Sequence, residues 1–110
     1  MDKGNLTAAS GGRVIDLSLV TTGAFTITGG TGADTLKGGS NADVIDGGDE
    51  SDTIIGNGGD DSLTGGAGSD SMTGNAGNDT FNVDSGTDTI VDLGGSGGTD
   101  TDVLVVSASA

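Results

Sequence analysis

Seven aspartates recur at intervals of nine residues: Asp34, Asp43, Asp52, Asp61, Asp70, Asp79 and Asp88. A carboxylate is a hard oxygen donor, and the chain has no histidine or cysteine that would favour zinc or copper. The matching ligand is a hard divalent cation. Calcium accepts about six to eight oxygens in flexible geometry, whereas magnesium dehydrates reluctantly and demands a strict octahedron. The donor set therefore points to calcium. Histidine, cysteine and tyrosine are all absent, so the serines have no base partner for nucleophilic catalysis. The residues describe a binding module and not an enzyme.

The aspartates belong to a longer pattern. Read in ninths from Gly29 to Asn82, the chain runs GGTGADTLK, GGSNADVID, GGDESDTII, GNGGDDSLT, GGAGSDSMT and GNAGNDTFN, with a decayed seventh copy, VDSGTDTIV, at 83–91. Aspartate holds the sixth position throughout. The eighth is always apolar: Leu36, Ile45, Ile54, Leu63, Met72, Phe81 and Ile90. Positions seven to nine have β propensity, and side chains alternate along a strand. Position eight therefore faces a core, while position seven (Thr, Ser or, once, Val44) faces solvent. Positions one to six form a turn. Glycine at positions one, two and four admits backbone angles closed to other residues. Asparagine is the next best tolerated, and Asn41, Asn57 and Asn75 stand among the substitutions, whereas Glu50 at a fourth position predicts local strain.

A three-residue strand needs a stacked neighbour. Two ninths make one coil of 18 residues, and coils stack at the inter-strand spacing of about 4.8 Å. Asp34, Asp52, Asp70 and Asp88 then line one edge, and Asp43, Asp61 and Asp79 the other. Two carboxylates ~5 Å apart repel by ~0.8 kcal/mol in water and ~3 kcal/mol at an effective dielectric of 20. A cation between the rungs reverses that sign, and carbonyls of the glycine-rich turns complete an all-oxygen shell.

Composition bounds the rest. The chain has 110 residues, 24 glycines, no proline and a net charge of −14, which without the repeats would indicate disorder. No apolar run is long enough for a membrane span, and no signal peptide opens the chain. The acidity argues against nucleic acid and anionic membrane as direct partners. Residues 1–10 are expected as a linker. Residues 11–28 are expected as N-terminal capping strands, at 13–20 and 24–28, on degenerate repeats that place Asp16 at position six and Ile27 at position eight. Residues 92–110 are expected as a glycine-rich turn and a capping strand, Val103 to Val106. No helix is expected. Asp46, Asp49, Asp60, Asp84, Asp92, Asp100 and Asp102 fall off position six and are expected as solvated charge.

The motif GGxGxDxUx, with U a large apolar residue, resembles the RTX nonapeptide repeat over 29–91. The resemblance implies an all-β, right-handed parallel β-roll (a β-solenoid), with two short strands and two calcium-binding turns per coil. It implies ions held between stacked turns by paired aspartates: Asp34 with Asp52, Asp52 with Asp70, Asp70 with Asp88, Asp43 with Asp61, and Asp61 with Asp79. That makes about five ions, with Asp16 and Asp34 as a further pair if the N-terminal segment keeps register. The seventh copy departs from the pattern, with Val83 and Asp84 for two glycines. Turn oxygens are expected from position one (Gly29, Gly38, Gly47, Gly56, Gly65, Gly74), position three (Thr31, Ser40, Asp49, Gly58, Ala67, Ala76) and position five (Ala33, Ala42, Ser51, Asp60, Ser69, Asn78). The resemblance also implies a secreted or cell-surface parent that bacterial export machinery passes unfolded, this chain being an excised module that folds on calcium outside the cell. Acid is expected to unfold it by protonating the ligands. The rival reading is a calcium-dependent surface-layer or adhesin spacer with calcium-dependent self-association. Ice binding is disfavoured, because positions three and five form no uniform row of threonine or asparagine.

Overall fold

The computed structural model describes residues 3–7, 11–92 and 102–106, and every regular element among them is a strand. These are β1 (Lys3–Thr7), β2 (Val14–Asp16), β3 (Ala24–Gly30), β4 (Thr35–Lys37), β5 (Val44–Asp49), β6 (Thr53–Gly58), β7 (Ser62–Ala67), β8 (Ser71–Ala76), β9 (Thr80–Val83), β10 (Thr89–Asp92) and β11 (Val103–Val106). Odd-numbered strands form one sheet in the order β1-β3-β5-β7-β9-β11. Even-numbered strands form the other, β10-β8-β6-β4-β2. Every pairing is parallel. Because consecutive strands alternate between sheets and each pairs with the next but one, the chain winds as a β-solenoid.

Position eight builds the core. Ile27, Leu36, Ile45, Ile54, Leu63, Met72 and Phe81 are all fully buried. They align coil on coil, Ile45 on Leu63 and Ile54 on Met72 among them. Position seven faces out, and Val44 there is 50% exposed. The strands are longer than the expected three residues: β5 to β8 run on through positions one to three, with Gly48 paired to Gly66 and Asn57 to Asn75. A strand of glycines has little β propensity of its own, and it is the stacked neighbour that holds it.

The ends depart from strict period. Lys3–Thr7, expected as a linker, is a strand paired with β3. The strand expected over 13–20 is confined to Val14–Asp16 and is followed by a turn closed by Val20 N–H donating to the Leu17 carbonyl at 2.8 Å. Val14 pairs with Thr35, and Ile15, not Ser18, occupies position eight opposite Leu36. The first coil is therefore offset by three residues, and Asp16 sits at position nine, aligned with Lys37. Ile27 takes the eighth place as expected. In the seventh copy the register slips between Ile90 and Asp92, which extrudes Val91 to 63% exposure. No pocket opens among the described residues.

The two faces of a strand make different predictions. Leu63→Ala removes a fully buried side chain between two sheets and is expected to destabilise the folded chain by about 2–5 kcal/mol. Val44→Thr, on the outer face, is expected to change stability by less than about 0.5 kcal/mol. Chemical denaturation of the calcium-loaded chain compares them.

Candidate metal centre

Position six lies where each turn re-enters a strand, and its side chain turns inward. Asp34, Asp43, Asp52, Asp61, Asp70 and Asp79 are each no more than 2% exposed. They form two ladders with one repeated hydrogen bond. The backbone N–H of Asp34 donates to Asp52 Oδ1 at 2.7 Å, that of Asp52 to Asp70 Oδ1 at 2.8 Å, and that of Asp70 to Asp88 Oδ1 at 3.0 Å. On the other edge Asp43 N–H donates to Asp61 Oδ1 at 2.8 Å and Asp61 N–H to Asp79 Oδ1 at 2.9 Å. The backbone carbonyl of each rung accepts the N–H of position seven one coil on, as from Thr53 to Asp34 and Ser62 to Asp43. All five pairs expected from the repeat are thus neighbours in the fold.

The second carboxylate oxygen is the chemically open one. The Oδ2 atoms of Asp34, Asp52, Asp61, Asp70 and Asp88 are buried and accept no hydrogen bond from any described residue. Asp43 Oδ2 differs, accepting the Gly39 N–H at 2.8 Å. A buried ionised oxygen without a partner is costly. Its nearest surroundings explain the glycine at position one. A Cβ on Gly38 would lie 2.5 Å from Asp43 Oδ2 and 2.7 Å from the Gly56 carbonyl oxygen, and one on Gly47 would meet Asp52 Oδ2 and, at 2.6 Å, the Gly65 carbonyl oxygen. Gly29 repeats the arrangement with Asp34 Oδ2 and the Gly47 carbonyl. Position one is thus glycine for space, while the positive backbone angles fall at positions two and four, including Glu50 (φ 75°), Asn57 (φ 74°) and Asn75 (φ 73°). Asn41 is not among them; its amide instead donates to the Thr21 carbonyl at 3.1 Å.

Carboxylate oxygens of one coil and glycine carbonyls of the next therefore converge on the same narrow space. No three acidic, histidine or cysteine side chains gather at one point among the described residues. The donor set is paired carboxylates plus backbone oxygens, which fits calcium and gives nothing to a softer metal. Side chains at positions three and five stand on the outside of the turns, Thr31, Ala33, Ser40, Ala42, Asp49, Ser51, Asp60, Ala67, Ser69, Ala76 and Asn78 all being exposed and Gly58 half-buried. Asp60 is an outer rung whose Oδ1 accepts the Asn78 N–H at 2.9 Å, and Ser51 and Ser69 receive N–H groups in the same way.

Two residues expected elsewhere change places. Asp16 does not reach Asp34. It is exposed, accepts the Ser18 N–H at 2.9 Å and lies 3.9 Å from Lys37 Nζ, and the Ser18 hydrogen bonds lower its pKa. Asp34 Oδ1 takes the N–H of Arg13 instead, at 2.6 Å and a separation of 21 residues rather than 18. Conversely Asp102, expected as solvated charge, continues a ladder: its Oδ1 accepts the Asp79 N–H at 2.8 Å, 23 residues away. The signal was the string DVLV, which matches positions six to nine once the spacing from Asp79 is taken as 23 residues and not 18. Asp84, also expected as solvated, accepts the Gly66 N–H at 3.2 Å and the Ser85 N–H at 3.0 Å.

Burial pushes the ladder carboxyls up. Asp61 is raised to about 8 and Asp52 to about 6, desolvation leading and neighbouring aspartates adding to it, against the hydrogen bonds from Asp43 and Asp34. Asp70 is raised for the same reasons. An unfolded aspartate titrates near ~3.9, so folding without metal takes up protons between that value and the raised ones. The contribution is most favourable below the unfolded value and is lost as pH rises to about 6 for Asp52 and about 8 for Asp61. In chelator, far-UV circular dichroism is expected to show β-structure increasing from pH 8 towards pH 5. In calcium the same acidification is expected to raise the calcium midpoint, because protons compete for the ligand oxygens.

Comparison with known proteins agrees with this geometry. No curated protein and no solved structure matches the chain. The family described as the RTX calcium-binding nonapeptide repeat, a unit of four copies, matches residues 26–54 and 55–90. That span covers more than half of the chain and every rung from Asp34 to Asp88, and the chain belongs to the RTX calcium-binding nonapeptide repeat family.

Proposed function

We propose that this calcium-binding module is a folding switch within a larger exported protein, highly anionic and unfolded at low calcium and a closed roll at millimolar calcium. The observation that supports it is the pair of ladders of buried aspartates, in which the Oδ2 atoms of Asp34, Asp52, Asp61 and Asp70 accept no hydrogen bond from any described residue. The residues that would hold the ions are Asp34 with Asp52, Asp52 with Asp70, Asp70 with Asp88, Asp43 with Asp61, and Asp61 with Asp79, for about five ions. Carbonyls of positions one, three and five complete the shell. When bound, calcium supplies the positive charge that turns repulsion between rungs into attraction. The residues around it do the rest. Glycine at position one leaves room, the N–H of each rung fixes Oδ1 of the next, and position eight anchors the strand behind it.

A site held at ten times its dissociation constant adds about 1.4 kcal/mol. Five such sites add about 7 kcal/mol, comparable to the whole stability of a small domain. The net charge of −14 opposes compaction whenever the sites are empty. A parent secreted to the medium or the cell surface, passed unfolded by a bacterial export channel, would meet high calcium only after export. No helix long and apolar enough to cross a membrane is present among the described residues.

A calcium titration followed by far-UV circular dichroism, with magnesium as control, tests the switch. A cooperative coil-to-β transition specific to calcium is expected. β-structure unchanged between chelator and millimolar calcium at neutral pH would replace the switch with a constitutive spacer. Asp61→Asn, which touches two pairs, is expected to lower the calorimetric ion count from about five to about three and raise the midpoint. Asp16→Asn, which removes the same charge off the ladder, is expected to leave the count unchanged.

A further inference from the structure

Asn57 is the one asparagine of the chain that a glycine follows. That pair is open to a reaction that needs no enzyme. The backbone nitrogen of Gly58, giving its proton to solvent, attacks Asn57 Cγ. The N–Cγ bond forms, the Cγ–Nδ2 bond breaks and ammonia leaves. Water then opens the cyclic imide at either carbonyl, so that amide and water become carboxylate and ammonium. The main chain afterwards runs through the α-carboxyl (aspartate) or through the β-carboxyl (isoaspartate). Glycine favours the attack because no Cβ crowds its nitrogen. The other asparagines precede residues that carry a Cβ, Asn75 before Ala76 among them.

The roll ties down both reacting groups. Gly58 N–H donates to the Gly39 carbonyl at 3.0 Å, and Asn57 Nδ2 donates to the Gly38 carbonyl at 2.8 Å. Both bonds run to the preceding coil, while Asn57 and Gly58 pair with Asn75 and Ala76 of the following one. Nucleophile and leaving group are fixed on separate carbonyls, and ring closure needs both released at once. We propose that Asn57–Gly58 is a deamidation site that the stacking of coils closes, so that the chain is marked irreversibly in proportion to the time it spends unfolded. This rests on the folding switch, which opens the site at low calcium and shuts it at millimolar calcium. The mark acts back on the roll. Isoaspartate adds a methylene to the main chain between Cα of residue 57 and the nitrogen of residue 58, which breaks the register of Gly58 with Ala76. It also ends the amide bond to Gly38, one residue after Gly56, whose carbonyl oxygen converges with Asp43 Oδ2 on the space at Gly38.

The wild-type chain incubated at mildly alkaline pH, in chelator and in millimolar calcium, tests the proposal. Peptide mapping by mass spectrometry follows amide-to-acid conversion at Asn57 and Asn75, with circular dichroism on every sample. Asn75 is the internal control, since it shares the column and the backbone φ (73° against 74°) and differs in the residue that follows. In chelator Asn57 is expected to convert well ahead of Asn75. In calcium its conversion is expected to slow by about a hundredfold or more, because a reaction confined to the open form tracks the population of that form. Gly58→Ala places a Cβ 3.4 Å from Ser40, in ordinary contact, and repeats the Ala76 of the next coil. It is expected to fold as the wild type does and to remove the lead of Asn57 over Asn75. The isoaspartyl chain, separated by ion exchange, is expected to fold at a higher calcium midpoint. Equal conversion of Asn57 in folded and unfolded samples overturns the proposal. So does an Asn57 no faster than Asn75 in the unfolded chain, or an isoaspartyl chain with the wild-type midpoint. If circular dichroism shows the chain folded in chelator, the switch has failed, and urea supplies the unfolded sample against which the same outcomes are read.

Discussion

Like charge stacked on like charge, out of water, is the constraint on which this roll is built. Each ladder places carboxylates one coil apart, where repulsion reaches ~3 kcal/mol per pair at an effective dielectric of 20. The fold does not avoid this. It fixes one oxygen of each carboxylate with a backbone N–H and leaves the other buried beside a glycine carbonyl. Protons relieve the arrangement, as the raised Asp52 and Asp61 indicate. A divalent cation relieves it without giving up the charge. The other regularities of the repeat serve that geometry: glycine at position one makes room, and the tolerance of positive φ at positions two and four bends the chain back in time to place the next aspartate.

The core is subordinate to the ladders. One apolar side chain per ninth is buried between sheets, and the roll measures 33 × 29 × 16 Å. Its thin direction admits a single layer of side chains. Each coil touches only the coils before and after it, so stability accumulates along one axis. Position eight accordingly takes aliphatic, thioether and aromatic side chains alike, from Ile54 to Met72 and Phe81, all fully buried. The stacking also means that an interior aspartate such as Asp61 belongs to two rungs at once, which couples adjacent coils.

The interior of the roll was legible in the sequence because two independent signals, aspartate at six and an apolar residue at eight, share one period. The ends were not. The turn after Asp16 carries three extra residues and the segment before Asp102 five. Lengthening a connection adds little to its closure entropy, so the ladder resumes after both insertions while the count of ninths breaks. Counting assigned position six to Asp16, where the fold has Arg13, and left Asp102 out. Strand length was hidden for a different reason. Glycine has low β propensity, and nothing local tells a glycine pair such as Gly48 and Gly66 from a loop until the neighbouring coil supplies the hydrogen bonds.

The ladder hydrogen bonds also have a direction, and that direction accounts for the asymmetry of the ends. Every rung donates its backbone N–H towards the carboxylate one coil nearer the C-terminus. The first carboxylate of each ladder therefore needs only an N–H from the coil before it. Any residue but proline supplies one, and here Arg13 serves Asp34 and Phe25 serves Asp43. No acid is required on the N-terminal coil, and none stands at position six there. At the other end the need is reversed. The N–H of Asp79 requires an acceptor in the next coil, which a backbone N–H cannot be. Asp102 provides it, although the chain takes 23 residues in place of 18 to bring it there. The capping of such a roll is thus chemically unequal: sequence identity is free at its start and constrained to an oxygen acceptor at its finish.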